Sequence, residues 1–245
     1  MIKNLLIPGL LLALSGQVQA ETSPHWTYEG KAGPAHWAEL NPDFVVCHSG
    51  KFQSPIDIRS AVSANLPALD LNFHTAAETL VNNGHTIQIT VDDDEDFLLD
   101  GERFKLVQYH FHTPSENLIA GKQYPLEAHF VHINGQGELA VVAVMFVIGA
   151  ENIALNSILP SIPSTVNKVV NIGQRIDLTD LFPAKRHYYR FSGSLTTPPC
   201  TEGLRWLIMK QPVTLSAMQL TIFQKALKQS NNRPVQPLHG RQIVE

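Results

Sequence analysis

Apolar residues in this 245-residue chain fall in short runs rich in Val, Ile, Phe and Thr, with turn residues between them. Thr86–Val91, Phe104–His112, Leu126–Ile133, Leu139–Ile148 and Leu204–Lys210 predict strands on that pattern. Leu139–Ile148 is apolar at every position, which predicts a central strand covered on both faces. A helical period is clearest in Ser216–Lys228. Ser216 can cap its start, and Leu220, Phe223, Ala226 and Leu227 share one face. Glu151–Leu159 and Ser164–Val170 predict shorter helices, and Asp92–Asp96 a solvated acidic turn. No internal repeat, low-complexity tract or long linker divides the chain. The pattern is that of one β-dominated domain of mixed α/β content, and the length suits a single β-rich domain.

The first twenty residues depart from that pattern. Lys3 supplies a positive start, Leu5–Leu14 is apolar except for Pro8 and Gly9, and Val18-Gln19-Ala20 ends in a small-x-small motif. This predicts a signal peptide over 1–20 and a mature domain over 21–245. The apolar stretch is shorter than the roughly 20 residues a membrane span requires, so no span is expected in the mature chain. No Cys follows Ala20, which argues against lipid attachment. Export to the periplasm or secretion follows. Two cysteines, Cys47 and Cys200, then suggest one disulfide, the alternative being two buried thiols.

Composition narrows the partners. Hydrophobic residues at 44% and charged residues at 16% support a sizeable core and lack the signature of disorder. The net charge is −4, and −5 once Lys3 leaves with the leader. That balance gives no electrostatic case for nucleic acid or an anionic membrane.

The informative stretch is Gln108-Tyr109-His110-Phe111-His112. Strand side chains alternate faces, so Gln108, His110 and His112 share one side and Tyr109 and Phe111 the other. In Glu127-Ala128-His129-Phe130-Val131, likewise, Glu127, His129 and Val131 share a face. If the two strands are neighbours, three imidazoles converge, the nitrogen set of a catalytic zinc site with one open position. Gln108 and Glu127 each stand two residues before a histidine, where they can fix its outer nitrogen. An H-x-H pair alone also occurs as structural histidines; His129 with Glu127 turns the balance. His132 faces away and reads as structural or surface. His25, His36, His48, His74, His187 and His239 show no ligand pattern.

Asn82-Asn83-Gly84-His85, the run Gln108–Asn117, Leu126–His132 and Ser194-Leu195-Thr196-Thr197-Pro198-Pro199 together resemble signature segments of the alpha carbonic anhydrases. The similarity extends from His25-Trp26-Thr27-Tyr28 to Arg233-Pro234-Val235-Gln236-Pro237-Leu238, nearly the whole mature chain. The resemblance implies a large twisted, mostly antiparallel central sheet of about ten strands with short peripheral helices. It implies reversible hydration of carbon dioxide to bicarbonate and a proton, through a zinc-bound hydroxide at the base of a conical cavity. His110, His112 and His129 would hold the zinc. Thr196 would act as gatekeeper with Glu116 as its partner, and Thr197 would help bind bicarbonate. His85 corresponds to the proton shuttle, with Tyr28 and Gln88 ordering its waters. Val131, Val141, Leu195, Leu204 and Trp206 would form an apolar wall for the substrate. A Cys47–Cys200 bridge would steady the Thr196 loop, and a homodimer is possible. Asn117 departs from the His that many members carry there, which puts one structural hydrogen bond in doubt. Two other readings were weighed. A non-catalytic binding module on the same fold would lack zinc ligands that are present here. A zinc esterase would need an ester pocket, of which the sequence gives no sign.

Overall fold

The structure is a computed structural model that describes residues 25–71, 74–91 and 96–245. The expected signal peptide over 1–20 and most of the acidic turn at 92–96 lie outside the described residues. The described strands are β1 Asp57–Ile58, β2 His74–Asn82, β3 Ile87–Val91, β4 Asp96–Leu99, β5 Glu102–His112 and β6 Leu118–Ile119. They continue with β7 Leu126–Ile133, β8 Leu139–Ile148, β9 Val169–Asp177, β10 Tyr188–Ser194, β11 Glu202–Met209 and β12 Val213–Leu215. The helices are α1 Trp37–Leu40, α2 Val46–Ser49, α3 Ile153–Ile158 and α4 Ala217–Leu227.

Ten of these strands form one sheet, ordered β10-β11-β8-β7-β5-β3-β2-β9, with β12 added beside β8 and β4 beside β5. Pairing is antiparallel except where β11 and β12 each run parallel to β8. The mostly antiparallel sheet and short outer helices match the expected architecture. β8 lies between β7 and β11 and is buried along nearly its whole length, as its unbroken apolar run predicts.

One face of the sheet packs a large core. Phe104, Leu106, Tyr109, Phe111, Phe130, Val142, Val144, Phe146 and Leu207 meet Phe223 and Leu227 of α4 there. That helix begins with a capping box: Ser216 Oγ accepts from Gln219 N, and the Gln219 side chain accepts from Ser216 N. It ends at Lys228 in the left-handed conformation (φ 63°). The opposite face carries a second cluster that includes Ile56, Val131, Val141, Met145, Leu204, Trp206 and Ile208.

The predicted helix at Glu151–Leu159 is present as α3, started by Asn152 and followed by a 3-10 turn. The helix expected over Ser164–Val170 is a correction: that segment is a turn leading into β9 at Val169. Its sequence has no apolar stripe wide enough to bury, and Val169–Val170 pair instead with Val81 and Leu80 of β2. β9 itself was missed, because Asn171, Gly173, Arg175 and Asp177 obscure its alternation.

Candidate metal centre and its cavity

β5 and β7 are neighbours, with His110 opposite His129 and His112 opposite Glu127. A register shift between Leu106 and Gln108 resets the alternation within β5. Beyond it Tyr109 and Phe111 turn to the large core, and Gln108, His110 and His112 to the other face. The ligand nitrogens of His110, His112 and His129 lie within 4.8 Å of one another. The ring centroids are 5.1, 5.2 and 4.5 Å apart.

Each histidine is held by its outer nitrogen. Gln108 Oε1 lies 2.8 Å from His110 Nδ1. The carbonyl of Asn231 lies 2.7 Å from His112 Nδ1. Glu127 Oε1 lies 2.9 Å from His129 Nε2. These partners leave Nε2 of His110 and His112 and Nδ1 of His129 toward the shared centre. Among the described residues His112 Nε2 has no hydrogen-bond partner although it is buried. Burial pushes all three imidazole pKa values down, and the neighbouring histidines add to this at His110 and His129. Three neutral imidazoles with their inner nitrogens free suit a divalent metal such as zinc.

Glu127 is fully buried and accepts from four donors. Its Oε2 takes the N–H groups of Glu116 (2.7 Å) and Asn117 (2.9 Å). Its Oε1 takes Asn117 Nδ2 (2.8 Å) besides His129. Asn117 therefore makes the hydrogen bond its substitution had put in doubt, and its Oδ1 accepts from Ile56 N at 3.0 Å.

Glu116 stands beside the triad. Its Oε2 is 3.5 Å from His112 Nε2 and 4.0 Å from His129 Nδ1, and its Oε1 accepts from Arg233 N at 2.8 Å. Burial raises its pKa to about 8, opposed by the Arg233 N–H, the Thr196 side chain and the Arg233 charge. A dication held by the adjacent histidines would favour the ionised carboxylate further.

A cavity of about 180 Å³ opens over the triad. Val131, Val141 and Trp206 form one row across β7, β8 and β11, and the Trp206 ring packs edge-on to His129 at 4.9 Å. Leu195 and Leu204 extend this apolar wall, and Thr196 and Thr197 line the same cavity. The threonines sit on a loop closed by Leu195 N to Thr201 O (2.9 Å) and Cys200 N to Thr197 O (2.8 Å). Cys200 is bonded to Cys47 on α2. Gly193, just before the loop, has no room for a side chain, since a Cβ would collide with Ser54 Oγ and the Trp206 ring.

Tyr28, His85, Gln88 and Gln108 line the polar side. Gln88 pairs with His110 across β3 and β5. Burial, with a smaller effect from Glu116, holds the Tyr28 phenol well above its usual pKa, so its hydroxyl stays protonated. The His85 ring stacks on Trp26 at 3.7 Å and lies 5.8 Å from His25. Burial and then His25 lower its pKa, and its Nδ1 has no hydrogen-bond partner among the described residues. His132 faces the large core, fully buried against Phe97 at 4.8 Å; it is structural and not on the surface.

Every residue expected at the site lies in or directly behind this cavity. Three contributors were missed. Asn231 holds His112 by its carbonyl, accepts from Thr113 N (2.8 Å), and donates to the carbonyls of His85 and Phe111 (both 2.9 Å). Arg233 anchors Glu116, and Trp26 supports His85. All three lie within or beside segments already singled out for resemblance, but their roles depend on long-range contacts.

Comparison with known proteins agrees with this geometry. A family model described as eukaryotic-type carbonic anhydrase matches residues 32–245. A carbonic anhydrase of Pectobacterium carotovorum is 48% identical over 99% of this chain and 100% of its own length. One from Klebsiella pneumoniae is 45% identical over all of both chains. A solved alpha-carbonic anhydrase from Thermovibrio ammonificans, in complex with the inhibitor sulfanilamide, superposes with a TM-score of 0.89 at 45% identity, covering 91% of this chain and 100% of that one. With the model spanning nearly all of the described domain and relatives matched end to end, the chain belongs to the eukaryotic-type, or alpha, carbonic anhydrase family.

Proposed function

We propose that this chain catalyses the reversible hydration of carbon dioxide to bicarbonate and a proton, with zinc held by His110, His112 and His129. The supporting observation is the set of three neutral imidazoles, each fixed from behind, with free nitrogens meeting under a cavity that has one apolar wall. When bound, zinc supplies the Lewis acidity that brings the pKa of water to about 7, a value established for carbonic anhydrases generally.

The protein's own groups do the rest. Thr196 has one hydroxyl proton. Donating it to Glu116 obliges Thr196 to accept from the attacking oxygen, whose lone pair then points at the substrate carbon. That orientation is the larger part of what a positioned nucleophile gains. Carbon dioxide carries no charge, so Val131, Val141, Leu195, Leu204 and Trp206 hold it by contact while Thr197 offers a hydroxyl to bicarbonate. His85 takes the released proton at an imidazole nitrogen, through waters ordered by Tyr28 and Gln88, and passes it to buffer. Its lowered pKa favours the neutral form that accepts a proton. Residues 1–20 act as a signal peptide, and the mature enzyme works in the periplasm or outside the cell. The disulfide agrees with an oxidising compartment.

Metal analysis and stopped-flow hydration on wild type and His110→Ala test this. Wild type should carry one zinc per chain. The variant should lose zinc and more activity than the roughly 10–100-fold that loss of an outer hydrogen-bond partner costs. Full activity in His110→Ala refutes the reading, and ester hydrolysis without hydration in wild type replaces it with an esterase.

A further inference from the structure

Arg233 is 1% exposed, yet no carboxylate among the described residues accepts a hydrogen bond from its guanidinium. Its acceptors are neutral: Nη1 donates to Gln53 Oε1 (2.9 Å) and Ser54 O (2.7 Å), and Nη2 to Cys47 O (2.8 Å). The Trp37 ring lies 5.5 Å beneath it. A buried cation with neutral partners is costly, and an apolar side chain would fill such space more cheaply. The charge therefore needs an explanation beyond packing.

The acceptors lead to both flanks of the Thr196 loop. Ser54 N donates to Ser194 Oγ (2.9 Å) and Ser194 N to Ser54 Oγ (3.2 Å), two residues before Thr196. Gln53 Nε2 donates to Cys200 O (3.0 Å), four residues after it. Cys47, the third acceptor, is the disulfide partner of Cys200. The backbone N–H of this same Arg233 donates to Glu116 Oε1. One residue thus spans the Thr196 loop and the carboxylate that Thr196 must meet.

We propose that Arg233 is a positioning residue: its guanidinium fastens its own backbone, and through it Glu116, in register with the loop that carries Thr196. The effect on catalysis rests on the hydration reading above; the clamp itself does not. Lysine keeps the charge but cannot hold three acceptors with one planar fork.

The test uses full-length, zinc-loaded Arg233→Lys, with Gln53→Leu, which cuts the link to Cys200, as the deciding variant should the first fail to fold. Amide exchange over residues 194–202 should quicken while zinc per chain and far-UV circular dichroism stay as in wild type. The kcat/KM for hydration should fall about ten- to a hundredfold, the scale of a sub-ångström to 1 Å misplacement. The kcat should fall less, because it also contains proton removal through His85. A residue that only supports the fold would lower the thermal midpoint without this split. Wild-type exchange and kcat/KM in the folded variants, a loss that tracks lost zinc, or failure of both variants to fold would overturn the proposal. If wild type hydrates no carbon dioxide, the proposed function fails, and the exchange measurement still decides the clamp.

Discussion

The two faces of the β5–β7 pair are both buried, but by different rules. Toward α4 the strands present Tyr109, Phe111, Ala128 and Phe130, and rings pack on rings, with Tyr109 to Phe130 at 5.4 Å and Phe111 to Phe223 at 4.7 Å. Toward the cavity the same strands present Gln108, His110, His112, Glu127 and His129. The first face needs volume and fit. The second needs a partner for every polar atom, and it has them at 2.7–2.9 Å for the outer nitrogens of all three histidines. The buried atoms it leaves without hydrogen bonds, His112 Nε2 and Glu116 Oε2, are those aimed at the centre. Selective under-satisfaction in an otherwise satisfied polar layer is what marks a ligand site.

If the faces are separate in function, damage to one should spare the other. Phe130→Ala removes a fully buried ring from the large core. It should cost about 3–5 kcal/mol of stability, read by urea unfolding of the zinc-loaded protein. Zinc content and kcat/KM, measured well below the melting temperature, should stay near wild type. Loss of zinc in the folded variant would show that the core face also sets the ligand geometry.

The converse change is Glu127→Gln. The carboxylate accepts from four donors, and an amide has one oxygen and a donating NH₂ that would face them. Zinc affinity, measured by chelator competition, should weaken about 10–100-fold, with a smaller effect on unfolding than Phe130→Ala. Unchanged affinity would mean that the outer hydrogen bond of His129 does not tune the metal site.

How much of this was legible depended on the range of the interaction. Alternation within Gln108–His112 and Glu127–Val131 placed five polar residues on one face, because a strand's period is local. The unbroken apolar run Leu139–Ile148 announced a buried central strand for the same reason. The phase of β5 was readable only from Gln108 onward; the register shift at Leu106–Gln108 is invisible to a pattern that assumes strict alternation. Asn231 and Arg233 act across more than a hundred residues of chain, on His112 and Glu116, and nothing near them in sequence marks that reach. Ser164–Val170 was misread because its two valines belong to β9, whose polar residues break the expected period.

The smallest effect we expect comes from two histidines three residues apart on β7. His129 faces the cavity and is a candidate ligand; His132 faces the core. Burial holds His132 neutral and pushes its pKa down to about 3, with backbone hydrogen bonds to Ala140 and Phe130 opposing this. In the unfolded chain it returns to the ordinary value near 6.5. Between about 6.5 and about 3 the unfolded chain therefore binds a proton that the native state refuses. Unfolding free energy falls as pH drops through that window, by at most about 1.4 kcal/mol per pH unit, and is unaffected by this group above it. His132→Leu removes that single titration and leaves every other one in place. Its stability relative to wild type, from urea melts between pH 4.5 and 8, should be flat above neutrality and should improve steadily as the pH is lowered. A difference independent of pH would mean that the native state protonates His132 as readily as the unfolded chain does, and the two histidines of β7 would then not differ in the way their faces require.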